Sequence, residues 1–239
     1  MIRLDKYLAD MGIGTRTSVK EIIKKGRVKV NDIVVKKSDT KIADTDQVKV
    51  DDQVISYQTY EYYLLNKPAG YLTATYDKDQ PVVMELIDAK RKDLSPVGRL
   101  DKDTEGVLLI TNDGVLAHHL ITPKYHVPKK YYAEVDTDLP ANAKETFTQP
   151  MTFKDFVADP AQDYEQIDAR KAYLTIGEGK YHQVKRMFKQ IGCEVTYLRR
   201  MSFAFLTAEG LNTGEARPLT EEEINKLYVL VDLERESSF

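Results

Sequence analysis

Between Gly98 and Gly106 the chain reads Gly-Arg-Leu-Asp-Lys-Asp-Thr-Glu-Gly, so Asp101, Asp103 and Glu105 alternate with Lys102 and Thr104 just ahead of the apolar run Val107 to Ile110. Polar groups at the edge of a buried strand are a common seat for chemistry. Three uses are open to such a segment: a structural ion-pair loop, a carboxylate metal site built from Asp101, Asp103 and Glu105, or a single reactive carboxylate. A calcium loop is not spelled, because Thr104-Glu105-Gly106-Val107 lacks the later ligands and the glutamate expected at the twelfth position. If the segment is extended, Arg99 and Asp101 project to one side, since strand side chains repeat every two residues.

A second group of chemistry-bearing residues lies between Gly179 and Gly192. At 100° per residue, Val184, Phe188 and Ile191 share one helical face, while His182, Lys185, Arg186 and Lys189 share another. One face is core and the other is cationic. A third group opens the chain. Residues 1–50 hold 12 Lys+Arg against 7 Asp+Glu, whereas the remainder holds 23 against 31, an asymmetry hidden in the net charge of -3. Arg16, Lys20, Lys24, Lys25, Arg27, Lys29, Lys36 and Lys37 are opposed within that stretch of sequence only by Glu21 and Asp32, a density suited to neutralising phosphates. Elsewhere, His118 and His119 are neighbours that diverge in a helix and His126 falls on a loop, so no metal site is expected. Cys193 is expected to be a buried thiol. No Gly-rich phosphate loop and no Ser-His-Asp order is present.

The elements that must position these groups follow from periodicity. Leu4, Leu8 and Met11 predict a short helix ended by Gly12. Ser18 with Glu21 has capping-box spacing, Val19, Ile22 and Ile23 form an apolar stripe, and Gly26 closes a second helix. Val28 and Val30, Ile33 to Val35, and Val48 and Val50 predict a small sheet with a turn at Asn31-Asp32. The polar stretch Ser56 to Glu61 marks the boundary, giving domains over residues 1–57 and 61–232. Downstream, Tyr62 to Leu65 and Tyr71 to Thr75 read as a hairpin around Asn66-Lys67-Pro68-Ala69-Gly70. Val107 to Thr111, Tyr131 to Val135, Ala172 to Ile176 and Glu194 to Arg200 read as strands, Val115 to Ile121 as a helix, and Thr220 with Glu223 as the cap of a last helix. Residues 139–168 carry no clear pattern, and Asp232 to Phe239 is expected to fray. Strands and helices do not alternate as a βαβ repeat, so the fold class is α+β with a mixed or largely antiparallel sheet.

The 239 residues are 42% hydrophobic and 31% charged, enough for a real core and far from a disordered composition. No apolar run approaches the roughly 20 residues of a membrane span. Asp5 and Asp10 interrupt any signal-peptide pattern. The single cysteine excludes an internal disulfide and a cysteine-rich zinc site. A soluble, cytoplasmic protein with no membrane role is expected.

The pattern R-L-D-K-Y-L-A-D … R-T-S-V-K-E-I-I-K-K-G-R-V-K-V-N over roughly residues 2–50 resembles the S-four type RNA-binding domain. That resemblance implies RNA contacts through Arg16, Lys20, Lys24, Lys25 and Arg27. L-N-K-P-A-G ending at Gly70, G-R-L-D-K-D-T-E-G-V-L-L-I-T-N-D-G at 98–114, K-K-Y at 129–131 and E-G-K-Y-H-Q-V-K-R-M-F at 178–188 resemble the ordered motifs of RNA pseudouridine synthases, and with A-R-P-L-T at 216–220 they resemble the Rsu-type, small-subunit branch. The resemblance implies a cofactor-free isomerase that converts a uridine of ribosomal RNA, 16S rRNA first, to pseudouridine, with the RNA or the assembling small ribosomal subunit as partner and the enzyme a monomer. A sister branch acting on 23S rRNA, or a non-catalytic RNA-binding or ribosome-assembly factor, is the alternative. Carried over by motif, Asp101 is the essential aspartate, Tyr131 the tyrosine that stacks on uracil, and Lys185 the basic partner, where many relatives carry arginine. Arg99 matches the arginine that helps fill the gap left by the extruded nucleotide. His182 and Arg186 on the cationic face are expected to touch RNA.

Overall fold

The computed structural model describes residues 1–57 and 59–235. These form two compact units: residues 1–61 with 88–94, and residues 62–87 with 95–235.

In the first unit, β1 (Ile2–Arg3) runs directly into α1 (Leu4–Asp10), and α2 (Arg16–Lys24) follows after the turn at Gly12. The α2 cap is Thr15, whose hydroxyl accepts from Ser18 N at 3.2 Å, so the helix begins earlier than the Ser18-Glu21 pair suggests. β2 (Val28–Val30), β3 (Ile33–Val34), β4 (Lys41–Ile42), β5 (Val48–Val50) and β6 (Gln53–Ile55) complete the unit. β3, β2, β5 and β6 make one antiparallel sheet in that order, and β1 pairs with β4. Leu4, Leu8, Val19, Ile23, Val28, Ile42 and Val48 form its core. Asn31-Asp32 and Asp51-Asp52 both take left-handed turns, which aspartate and asparagine tolerate better than most residues. The second turn corrects the sequence reading of local charge. Asp51 pairs with Arg27, Asp52 with Lys29 at 2.6 Å, and Asp32 with Lys49 at 2.7 Å, so two carboxylates from a later hairpin neutralise cations that look unopposed in sequence. Residues 88–94 also belong here, through Arg91, which donates to Asp93 and lies 3.8 Å from Asp10.

The second unit is built on a mixed sheet. Its elements are β7 (Tyr62–Lys67), β8 (Ser95–Pro96), β9 (Glu105–Thr111), α3 (Gly114–Ile121), β10 (Lys129–Val135), α4 (Ala143–Phe147), β11 (Met151–Thr152), β12 (Val157–Ala158), β13 (Asp163–Asp168), β14 (Lys171–Ile176), α5 (Gln183–Gln190), β15 (Val195–Phe203), β16 (Leu206–Thr207), β17 (Ala216–Pro218) and α6 (Glu221–Leu230). The main strand order is β13-β14-β10-β15-β9-β7-β17, and every pairing is antiparallel except β15 with β9. α3 and α6 cover one face, packing Leu116, Leu120, Ile224 and Leu227 on Leu64, Val107 and Leu109. Asp113 caps α3 through Leu116 N and accepts the hydroxyls of Tyr62 and Tyr228, which ties both helices to β7. The capping box at Thr220 and Glu223 forms on both sides, and Arg235 donates to Glu221 and Asn225, so order reaches beyond Asp232. The last residues of the expected tail, 236–239, lie outside the described residues.

No hairpin joins Tyr62–Leu65 to Tyr71–Thr75. β7 pairs instead with β9 and β17, and residues 70–73 hold the loop that precedes β9. Gly70 N donates to Lys102 O at 2.8 Å, while the Thr73 hydroxyl donates to Leu100 O at 2.7 Å and accepts from Leu100 N at 3.2 Å. The largest part of this clamp is Lys67, at the end of β7 and 0% exposed. Its ammonium donates to the carbonyls of Asp101 at 3.1 Å, Lys102 at 3.3 Å, Thr104 at 2.8 Å and Pro68 at 3.0 Å. Burial pushes its pKa down to about 8 against the pull of Asp103, Glu105 and Asp101. Gly106 is the other fixed point. Its φ is +104°, and a Cβ there would lie 2.1 Å from Arg200 O on the parallel neighbour β15.

Two substitutions test these joints. Gly106→Ala is expected to cost about 3 kcal/mol or more, from the clash and from a φ that an L side chain resists, measured by urea unfolding. Lys67→Met, similar in length but unable to donate, leaves buried carbonyls unmet and is expected to lose about 3 kcal/mol, roughly 6–12 °C in melting temperature.

Candidate active site

The clamped loop presents Asp101 to a small open cleft of about 100 Å³, lined also by Arg99, Lys129, Tyr131, His182, Lys185 and Arg200. Residues 98–104 are not a strand, since β9 begins at Glu105, yet Arg99 and Asp101 both reach the cleft. The Asp101 side chain is 28% exposed, and each of its oxygens meets a nitrogen: Lys185 Nζ lies 3.0 Å from Oδ2 and His182 Nε2 lies 3.3 Å from Oδ1. Such contacts stabilise the charge of a carboxylate while leaving part of it open to a reactant.

Lys185 reaches Asp101 from the first turn of α5 and also donates to Asp103 at 2.7 Å. Its burial works against the charge, but Asp103 and Asp101 outweigh this and hold its pKa above that of ordinary lysine. Asp103 is lowered, its own desolvation being overcome by Lys185. Glu105 faces elsewhere, accepting from Tyr197 at 2.8 Å and Arg199 at 3.3 Å. The alternating acids therefore divide between two sets of cations.

His182 departs from its expected place. α5 starts at Gln183, so His182 is the residue before the helix, in a left-handed conformation with φ +50°, and the helical wheel does not describe it. A buried brace sets this turn. Glu178 accepts from Gln183 Nε2 at 2.8 Å and from Asp159 N at 2.9 Å, and Gln183 Oε1 accepts from Lys180 N at 2.9 Å. Tyr181, exposed to solvent, stacks on the imidazole with ring centroids 3.8 Å apart.

Tyr131 is buried on β10, with its ring on the cleft side of the sheet. Arg99 is exposed at the rim and makes no ion pair among the described residues. Arg186 is placed outside the cleft lining. Its guanidinium pairs with Asp155 and lies 4.8 and 4.6 Å from the rings of Phe153 and Phe156. In the first unit, Arg16, Lys20 and Lys24 are exposed on α2 and Lys25 is exposed at its C-cap; none of the four forms an ion pair among the described residues, whereas Arg27 is engaged with Asp51. Sequence reasoning passed over Lys67, Lys129 and Arg200. Each is a cation within an otherwise apolar strand pattern, and that local mismatch was the available signal.

Comparison with known proteins bears on this arrangement. Residues 61–190 match the RNA pseudouridylate synthase family model, and residues 2–54 match that of the S4 domain. The chain is 38% identical to ribosomal large subunit pseudouridine synthase B of Bacillus subtilis (97% of this chain, 98% of the relative) and 34% identical to ribosomal small subunit pseudouridine synthase A of Haemophilus influenzae (95% and 99%). A crystal structure of a pseudouridylate synthase superposes with a TM-score of 0.66 at 33% identity, covering 95% of this chain and 100% of that one. Asp101, Tyr131 and Lys185 all fall within the matched segment, and the chain belongs to the RNA pseudouridylate synthase family, with an S4 domain at its N-terminal end.

Proposed function

We propose that this protein isomerises a uridine of ribosomal RNA to pseudouridine, with 16S rRNA as target, Asp101 as the reacting group, Tyr131 as the stacking surface and Lys185 as the cation that holds the carboxylate. The observation that carries the reading is Asp101 paired with Lys185 at 3.0 Å, with His182 beside its other oxygen, in the same cleft as Tyr131. The reaction needs a carboxylate beside the nucleotide while the bond from C1′ to N1 is exchanged for a bond from C1′ to C5. A tyrosine face supports the extruded base, worth about 1–3 kcal/mol per stacked base. Arg99, exposed at the rim, suits the space the nucleotide vacates, and His182 is assigned to orienting Asp101.

The H-Q-V-K-R-M form at 182–187 favours the small-subunit branch, while the higher identity to a large-subunit enzyme favours 23S rRNA as the second reading. Arg16, Lys20 and Lys24 on α2, with Lys25 at its C-cap, are assigned to RNA backbone contacts. Arg27 and Arg186 join them only by exchanging their carboxylate partners for phosphate.

Tritium release from 5-tritiated uridine in 16S rRNA, in 23S rRNA and in partly assembled small subunits decides between the targets. Asp101→Asn is expected to lower the rate by at least about 1000-fold with little change in RNA affinity. Release by this variant at the wild-type rate would remove Asp101 from the chemistry. Replacing Lys24 and Lys25 with glutamine is expected to weaken binding and to reduce the slope of log K against log salt by about 1.4 to 1.8, because fewer counterions are released.

A further inference from the structure

The floor of the cleft holds two cations that the reading above does not use. Lys129 is 5% exposed on β10, two residues before Tyr131 and on the same side of the strand. Its ammonium donates to Val127 O at 2.9 Å and lies 5.4 Å from the Phe203 ring, and its other N–H groups meet no acceptor among the described residues. Arg200, 2% exposed on β15, donates through Nε to Val107 O at 2.7 Å, while its Nη2 is buried without a hydrogen-bond partner. Both residues line the same cleft as Asp101. Arg200 repels the Lys129 charge and buried Glu178 attracts it, but neither carboxylate of the catalytic loop is hydrogen-bonded to it. Desolvated donors left open on the floor of a binding cleft are costly unless a ligand acceptor completes them.

We propose that Lys129, backed by Arg200, donates to a carbonyl oxygen of the target uracil and bears the negative charge that spreads onto that oxygen while the base is detached. This assignment rests on the pseudouridine synthase reading of the cleft. The bond from C1′ to N1 breaks with its electron pair passing to the base, where it delocalises over N1 and the two carbonyl oxygens. The bond from C5 to C1′ then forms, the proton on C5 leaves, and N1 takes up a proton, so no oxidant or reductant is needed. A fixed donor at the carbonyl stabilises the charged stage more than the bound substrate, which is the condition for accelerating the reaction. Burial and Arg200 push the Lys129 ammonium down to about 8, which leaves it charged at neutral pH and a stronger donor than ordinary lysine.

The test uses the full chain and three probes: uridine 5′-monophosphate, its 2-thio analogue and its 4-thio analogue, each titrated by calorimetry or ligand-observed NMR. Sulfur is a poorer acceptor than oxygen, so the wild type is expected to bind one of the two analogues about tenfold more weakly than the parent nucleotide, a difference of about 1.4 kcal/mol. Lys129→Met is expected to bind all three equally, at the level of the disfavoured analogue. On whichever rRNA supports tritium release, the variant is expected to be about 100-fold slower in single turnover. Equal wild-type binding of all three probes, or unchanged discrimination in Lys129→Met, overturns the assignment. The wild-type series decides even if the variant does not fold. Because mononucleotide binding does not depend on which RNA is modified, an absence of tritium release from every rRNA would count against the ribosomal reading and leave this one to be judged by the probes.

Discussion

A buried ammonium is among the most demanding groups a fold can contain, because every donor left unmet where water is absent costs stability. Lys67 ends an apolar strand and finds its acceptors in the main chain of residues 101–104 and Pro68. The shape of the aspartate loop is therefore set by the satisfaction of a cation rather than by its own side chains. Gly70 and Thr73 complete the clamp from the same segment, which is why the stretch after β7 is spent on the loop and not on a return strand. Asp101 inherits its place from these contacts, and Lys185 and His182 are then delivered to its two oxygens by the Glu178 and Gln183 brace at the start of α5.

The sheet supplies the second requirement, that groups distant in sequence meet at one cleft. Asp101 precedes β9, Tyr131 and Lys129 lie on β10, and Lys185 lies on the helix before β15. Strands β9 and β15 are parallel neighbours, paired at Glu105 with Arg199 and at Gly106 with Arg200. The two antiparallel halves of the sheet join here, and only a residue without a Cβ allows the backbones this close. The same register carries Arg200 onto the cleft floor and Arg199 onto Glu105, so one short pairing places a cation on each side of the sheet.

What was legible in the sequence was mostly what is local. The α1 stripe, the strand at Val107, the turn at Asn31-Asp32 and the Thr220 capping box each depend on neighbours a few positions away. Readings that failed did so where a distant partner decided. The Tyr71 to Thr75 hairpin lost to the loop clamp, the charge count around Arg27 missed Asp51 and Asp52, and segment 88–94 packs with the first unit through an arginine that no periodicity singles out. His182 was placed near the right neighbours by the wrong geometry, since the helix begins one residue later. The approach of Asp101 to Lys185 could not come from spacing at all. Family likeness suggested it, and the fold supplies the physical cause.

Because the aspartate loop is gripped by its carbonyls and amides, most of its side chains carry little of the burden of folding. Lys102 and Asp103 are exposed, and the contacts that fix their backbone are indifferent to their identity. Shape and chemistry are thus assigned to different atoms of the same residues. The charges and hydrogen-bonding groups that this loop shows to solvent can therefore change without unfolding the platform beneath, because main chain and side chain carry separate tasks.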